Sequence, residues 1–419
     1  MNQDHAQKAM RATEQTKTPV VLSLEQALSM PYGTLRFVHL GWRVIRIEPT
    51  PVAGRPTSGD PNRYIGRPVA GQDRHSYYVP PNVGKEAIAI NLKTDEGRRL
   101  LYRLVRDLEV DVVCTNTMPG RHQVLGVDYE TLKDVKADLI WAAISAMGVS
   151  YPDVPGYDPA TQALCGYMDL TGERDGPPMQ CGPPLIDLKA GDEVFAQVMQ
   201  ALWERGRTGQ GKMIDVSMAH CAASWLHTFT PMLDMGSPPD EIRRNGNRHR
   251  QFIPVNAYPT TDAFIYVAIG SDAQWSRLVE RPMFTSLDQA RFRTNEGRRA
   301  HQKDLHVLIA GITRQHSSHA LASALGEAAV PHSPITPIEQ VPDLPFIKES
   351  ALSTTTPDGV TVRLPPPAVP VPHLERSDRK LPFPPGYGEQ TAAVLGEVGI
   401  ADDEIAQLRQ DGIIAWGER

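Results

Sequence analysis

Between Val20 and Ser145, short apolar runs alternate with stretches of helical period, and this alternation restricts the fold more than any other feature of the chain. Val20 to Leu22 reads as a buried strand, Leu24 to Leu40 as a helix closed by Gly41, and Arg43 to Glu48 as a second strand. The pattern resumes with a strand over Glu86 to Asn91, a helix over Thr94 to Leu108 with a Thr/Asp start, and buried strands over Val110 to Cys114 and Leu139 to Ser145. Strands alternating with helices predict an α/β fold whose large domain is a doubly wound, largely parallel, Rossmann-like sheet. No GxGxxG motif follows the first strand, so a dinucleotide site there has no support.

Two loops interrupt the alternation. Residues 49 to 82 are rich in Pro, Gly and Arg, and a loop bearing Arg55, Arg63, Arg67 and Arg74 is either solvated or able to contact phosphates. After the fourth strand, Pro119-Gly120 makes a turn at the strand's carboxyl end, which is where open α/β sheets bind ligands.

A chain of 419 residues exceeds what one core usually serves, so two domains are expected. The composition shifts near Asp234, where short strands over Val255 to Tyr258 and Phe264 to Ile269 precede amphipathic helices reaching about Leu325. The boundaries that follow are a disordered tail over 1–18, a large domain over 19–230, a smaller α+β domain over 235–335, and a return to the large domain over 340–419. Within that return, 364–385 is too proline-dense for sheet or helix and is predicted to run as an extended strap, followed by helices over Thr391 to Val398 and Asp402 to Leu408.

A net charge of -6 without long charge runs argues against nucleic acid and anionic membranes as partners. No stretch is apolar enough to span a bilayer. Cys114, Cys165, Cys181 and Cys221 lack CxxC spacing and have apolar neighbours, which predicts buried reduced thiols, no metal site and a cytoplasmic protein.

The candidate for chemistry is Asp187 in CGPPLIDLKAG. Pro183 and Pro184 cannot lie inside a helix, whereas Val194, Phe195, Val198, Met199 and Leu202 recur at helical spacing after them. Asp187 therefore falls near a helix N-terminus, where unpaired N–H groups and the dipole would keep a carboxylate ionised and ready to attack. An aspartate serving only as N-cap fits the same local pattern.

Several stretches taken in order resemble the class III CoA-transferases, which include formyl-CoA transferase and L-carnitine CoA-transferase. They are Leu40-Gly41 with VIRIEP, GKEAIAINLKTDEG, NTMPGRHQVLGVDYETL, PGYDPATQALCGYMDLTGERDGPP, WERGRTGQGKMIDVSM, GNRHRQFIPVNAYPT, and GEQT with EIAQLRQDGII. The resemblance runs from about Val20 to Ile414. It implies that Asp187 attacks an acyl-CoA donor to give a mixed anhydride, becomes an aspartyl-CoA thioester, and passes CoA to an acceptor carboxylic acid. It also implies coenzyme A contacts at Leu28, Ser29, Ile90, Asn91, Leu92, Lys93, Asn116, Thr117, Met118, Arg121, and the loop Pro155, Gly156, Tyr157, Asp158. A second chain, identical or paralogous, is implied in an interlocked dimer, with the chemistry between the large domain of one chain and the small domain of the other.

Departures from the family pattern carry information too. Pro49 and Val124 stand where formyl-CoA transferase has CoA-binding arginines, which leaves Arg55, Arg63 and Arg121 as nearby phosphate partners. GNRHRQ lacks that enzyme's glycine-rich run, so formyl-CoA and oxalate fit poorly, while Arg248 and His249 are candidates for a second substrate carboxylate. The resemblance points toward succinyl-CoA-dependent members such as benzylsuccinate CoA-transferase. A non-catalytic scaffold subunit is one alternative. The other is an α-methylacyl-CoA racemase, although Tyr157 replaces the histidine that such enzymes use for proton exchange.

Overall fold

The computed structural model describes residues 17–417 except 53, 55 and 56, so Arg55 and nearly all of the expected tail lie outside the described residues. The chain forms two compact units. The first comprises residues up to Thr161, Pro183–Trp225 and Pro345 onward; the second comprises Gln162–Gly182 and Leu226–Leu344.

Seven strands build the sheet of the first unit: β1 (Val20–Leu24), β2 (Arg43–Glu48), β3 (Glu86–Ile90), β4 (Val112–Thr115), β5 (Ile140–Ser145), β6 (Lys212–Ser217) and β7 (Ile414–Ala415). Their order is β7-β3-β2-β1-β4-β5-β6, parallel throughout except for the short antiparallel edge strand β7. The winding direction reverses between β1 and β4, so the loops leaving those strands diverge and open a crevice at their carboxyl ends. The principal helices are α1 (Ser29–His39), α2 (Asp95–Asp107), α3 (Asp158–Leu164), α4 (Leu185–Thr208), α5 (Met218–Ser224), α6 (Thr391–Glu397) and α7 (Asp402–Gln410). Leu22, Ile45, Ile88, Val113 and Trp141 from the strands cluster with Leu101 and Leu104 of α2, Val394 and Leu395 of α6, and Leu408 of α7.

Helices α1 and α4 cross at two glycines. A Cβ on Gly33 would lie 2.9 Å from the Gly191 carbonyl oxygen, and one on Gly191 would lie 2.7 Å from the Ser29 carbonyl oxygen. Only glycine permits this approach, which sets the first turns of the two helices side by side.

Helix α1 begins at Ser29 rather than Leu24. Ala27 takes φ 60°, outside the helical region, and Glu25 is buried in a charge cluster. Residues 49–82 hold a 3-10 turn (Pro61–Tyr64) and a short ladder of Pro68–Ala70 with Arg74–His75. The proline-rich segment is not wholly extended: Leu364 ends a hairpin strand (Thr361–Leu364) paired with Leu352–Thr355, and Pro372–Arg376 is helical because proline suits a first helical position.

The second unit centres on an antiparallel sheet in which Phe264–Ala268 pairs with Val255–Pro259 and His332–Pro334. Trp275, Phe292, Leu305, Ile309 and Leu321 form its core. It also contains 162–182, a segment expected in the large domain. Cys114 and Cys221 are buried, whereas Cys165 and Cys181 are only half-buried, and none of the four is in a disulfide. No helix among the described residues is long and apolar enough to cross a membrane.

Candidate active site

Helix α4 starts directly after Pro183-Pro184, and its N-cap, Pro184, has no side chain able to accept from the first N–H groups. Asp158, the first residue of α3, supplies that acceptor from elsewhere. Its Oδ2 takes the N–H of Ile186 at 2.7 Å and of Asp187 at 3.1 Å. Asp187 is therefore the third residue of the helix and not its cap.

The Asp187 carboxyl has no hydrogen bond or ion pair among the described residues. Burial, followed by the like charge of Asp158, pushes its pKa up to about 7. This reverses the expectation of a carboxylate held fully ionised by the helix terminus. The terminus is present, but Asp158 has taken its N–H groups and added a negative charge beside them. A carboxylate of raised pKa without stabilising partners is a stronger nucleophile than an ordinary one, and roughly half ionised at neutral pH.

The crevice loops lie across the top of the sheet. Asn116 ties them together, accepting from Gln26 N–H at 3.0 Å, donating to the Gln26 carbonyl at 2.8 Å and reaching Ser29 Oγ at 3.3 Å. Asp60 Oδ1 accepts from the strained Ala27 N–H at 3.2 Å. Leu28, Thr117 and Met118 are half-buried around this tie, Ser29 is buried, and Arg121 is exposed. Pro155, Gly156 and Tyr157 are exposed, while Asp158 is turned inward to the helix start. Near β3, Lys93 is exposed and the Asn91 Oδ1 accepts its N–H at 3.2 Å. Ile90 and Leu92 are buried members of the apolar core, so their side chains do not reach a ligand.

Arg63 cannot serve coenzyme A phosphates. It is fully buried, bonded to Glu48 at 2.5 and 2.8 Å and to the Pro385 carbonyl at 3.1 Å, and stacked on Tyr78. It belongs to a buried polar cluster unforeseen from the sequence. There, Lys85 donates to Glu25 at 2.7 Å and to Pro31 O and Thr34 Oγ1 of α1 at 2.8 Å each, while Arg46 meets Asp60 at 2.9 Å. The cluster anchors the first turns of α1, the helix that packs beside α4.

In the second unit, Arg248 and His249 lie in the loop before Val255–Pro259. Arg248 pairs with Glu173 at 3.6 Å. His249 Nδ1 accepts the N–H groups of Gln251 and Phe252, each at 3.0 Å.

A family model described as CoA-transferase family III matches residues 19–391. Succinate–glutarate CoA-transferase from Agrobacterium fabrum is 31% identical over 391 residues, covering 90% of this chain and 94% of that protein. Human succinyl-CoA:glutarate CoA-transferase is 27% identical, with coverage of 94% and 88%. Acetyl-CoA:oxalate CoA-transferase from Acetobacter aceti is 33% identical, with coverage of 78% and 82%. Among solved structures, a CAIB/BAIF family protein from Brucella suis matches with a TM-score of 0.78 at 30% identity, covering 91% of this chain and 98% of that one.

Proposed function

The chain belongs to CoA-transferase family III, and from that premise we propose that Asp187 carries the transferred groups in an exchange of CoA between two carboxylic acids. The observation that carries this reading is the carboxyl of Asp187 at the start of α4, without a hydrogen bond or ion pair among the described residues, with the helix cap supplied by Asp158 instead. Its oxygen attacks the thioester carbonyl of the donor. The C–S bond breaks, CoA thiolate leaves, and an aspartyl acyl anhydride forms. The thiolate then attacks the aspartyl carbonyl, releasing the donor acid and leaving an aspartyl-CoA thioester. The acceptor carboxylate reverses both steps, and no net proton moves.

Because none of the described residues bonds the Asp187 carboxylate, attack sacrifices no stabilising contact with them. Asp158 positions the first turn of α4, and the Gly33–Gly191 crossing fixes that turn against α1. The crevice loops around Leu28, Asn116–Arg121 and Pro155–Tyr157, with Asn91 and Lys93, are the surfaces we assign to CoA. Tyr157 offers no histidine-type acid for α-proton exchange, which disfavours a racemase.

For substrates we propose succinyl-CoA as donor and a short dicarboxylic acid such as glutarate as acceptor, the chemistry named for two of the relatives. We also read the working protein as an interlocked dimer. Exposed Trp203 and Met199 on α4 are apolar surface that a partner chain would cover. The test is an acceptor screen with succinyl-CoA as donor: glutarate should be converted to its CoA ester at a rate proportional to enzyme. Transfer to no acid would refute the proposal.

A further inference from the structure

The turn after β4 carries Asn116, Thr117, Met118 and Arg121, and directly behind it sits a buried histidine that the transfer chemistry does not use. His122 opens the single helical turn His122–Leu125 and is only 4% exposed, although its neighbours Arg121 and Gln123 are both exposed. Burying an imidazole is costly unless its polar atoms are bonded. Nε2 lies 3.0 Å from the Thr117 carbonyl oxygen, and since a carbonyl can only accept, Nε2 carries the proton and donates it. Burial lowers the pKa of the ring, so it is neutral at neutral pH and that proton is its only one.

The ring is held by its surroundings. It packs against Trp141 of β5, with centroids 5.5 Å apart and planes at 80°. Trp141 is itself buried, and its Nε1 donates to the Val127 carbonyl at 2.7 Å, while the Val127 N–H donates to the His122 carbonyl at 2.9 Å. Thr117 is consequently fixed from both sides. Its N–H donates to Thr115 Oγ1 at 3.1 Å and the two threonine hydroxyls lie 2.9 Å apart, which ties it to the end of β4; His122 takes its carbonyl. A peptide is planar and trans, so fixing the Thr117 carbonyl also fixes the Met118 N–H on the opposite side of the bond. That N–H has no hydrogen bond among the described residues, which leaves it to a ligand.

We propose that His122 is a positioning residue for CoA binding, its Nε2–H setting the Thr117–Met118 peptide in the orientation that receives the CoA moiety. The proposal rests on the assignment of this turn to CoA. His122 acts through Thr117 and not by contact with the reacting atoms, so its loss weakens the hold on CoA in ground and transition states alike and leaves the chemistry at Asp187 untouched.

Two substitutions separate the donor from the ring. His122→Phe keeps a flat ring against Trp141 and removes the N–H, whereas His122→Gln keeps an N–H donor and removes the ring. On the full chain, CoA binding is measured by calorimetry, KM and kcat with succinyl-CoA as donor, and amide exchange over residues 116–121. His122→Phe should weaken CoA binding and raise KM for succinyl-CoA by about 10-fold, with kcat within about twofold of wild type. His122→Gln should bring affinity and KM back to within about threefold of wild type. Lost packing alone would lower the folded fraction, and kcat with it, at unchanged KM. CoA affinity unchanged in His122→Phe, or His122→Gln as weak as His122→Phe, would overturn the proposal. If even the wild type binds no CoA, faster exchange over 116–121 in His122→Phe that His122→Gln restores would support the hold on Thr117 and refute only the assignment of the turn to CoA.

Discussion

Replacing Asp187 by Asn should abolish transfer and, at alkaline pH, stabilise the protein. The sign follows from proton binding. The carboxyl pKa rises from its ordinary 3.8 to about 7 on folding, so between those values the folded state holds more protons than the unfolded state. Stability contributed by this group is complete below pH ~4, declines as pH rises, and is gone above about 7. The shift is worth at most ~4 kcal/mol at 1.36 kcal/mol per unit. Asp187 is partly exposed, and solvent screening reduces that figure to ~2 kcal/mol. Losing a negative side chain from the first turn of α4 opposes the gain by about 0.5 kcal/mol. The net of ~1–2 kcal/mol corresponds to a rise of about 1–2 °C in Tm for a chain of this length. Thermal unfolding of both proteins at pH 8 and pH 5 measures it, and the gain should shrink by about a third or more at pH 5. A variant no more stable than wild type at pH 8, or a gain independent of pH, would show that Asp187 is not a destabilised carboxylate.

The same pKa predicts that kcat/KM for the donor rises with pH and levels off above about 7. In Asp158→Asn this limb should move to lower pH as the like charge disappears, and a limb at ordinary carboxylate pH in the wild type would contradict the site's electrostatics. Gly191→Ala would bring a methyl group to 2.7 Å from the Ser29 carbonyl oxygen, so it should lower stability by ~1–3 kcal/mol in urea titration and reduce kcat as well. A neutral effect on both would mean that the α1–α4 crossing is loose. Lys85→Met would leave buried Glu25 with only the more distant Arg46, at 3.9 Å, as its cation, at a cost of ~3 kcal/mol in the same titration. A loss below ~1 kcal/mol would refute that coupling.

Features encoded locally were legible in the sequence. The apolar runs from Val20 to Ser145 became parallel strands β1 to β5, with ends shifted by a residue or two, and Thr94 caps α2 as its Thr/Asp start indicated. The features that depend on distant partners were not. Glu25 looks like a first-turn helix residue, but Lys85, 60 positions later, holds it in a buried ion pair just past the end of β1, and α1 begins only at Ser29. Arg63 reads as a phosphate ligand only until Glu48 and the Pro385 carbonyl are seen to enclose it. Asp187 illustrates the same limit at the site. Its place near a helix start was readable from the prolines and the helical spacing, whereas its ionisation depends on Asp158, which is 29 positions away and caps the helix in its stead. No local pattern signals that a cap will come from another element.

The central claim is that Asp187 forms covalent bonds to the acyl group and to CoA. Incubating the protein with succinyl-CoA, quenching with hydroxylamine or borohydride, and mapping peptides by mass spectrometry tests it directly. The modification should fall on Asp187 and be absent from Asp187→Asn. Turnover without a label at Asp187, or a label on another residue, would contradict the account.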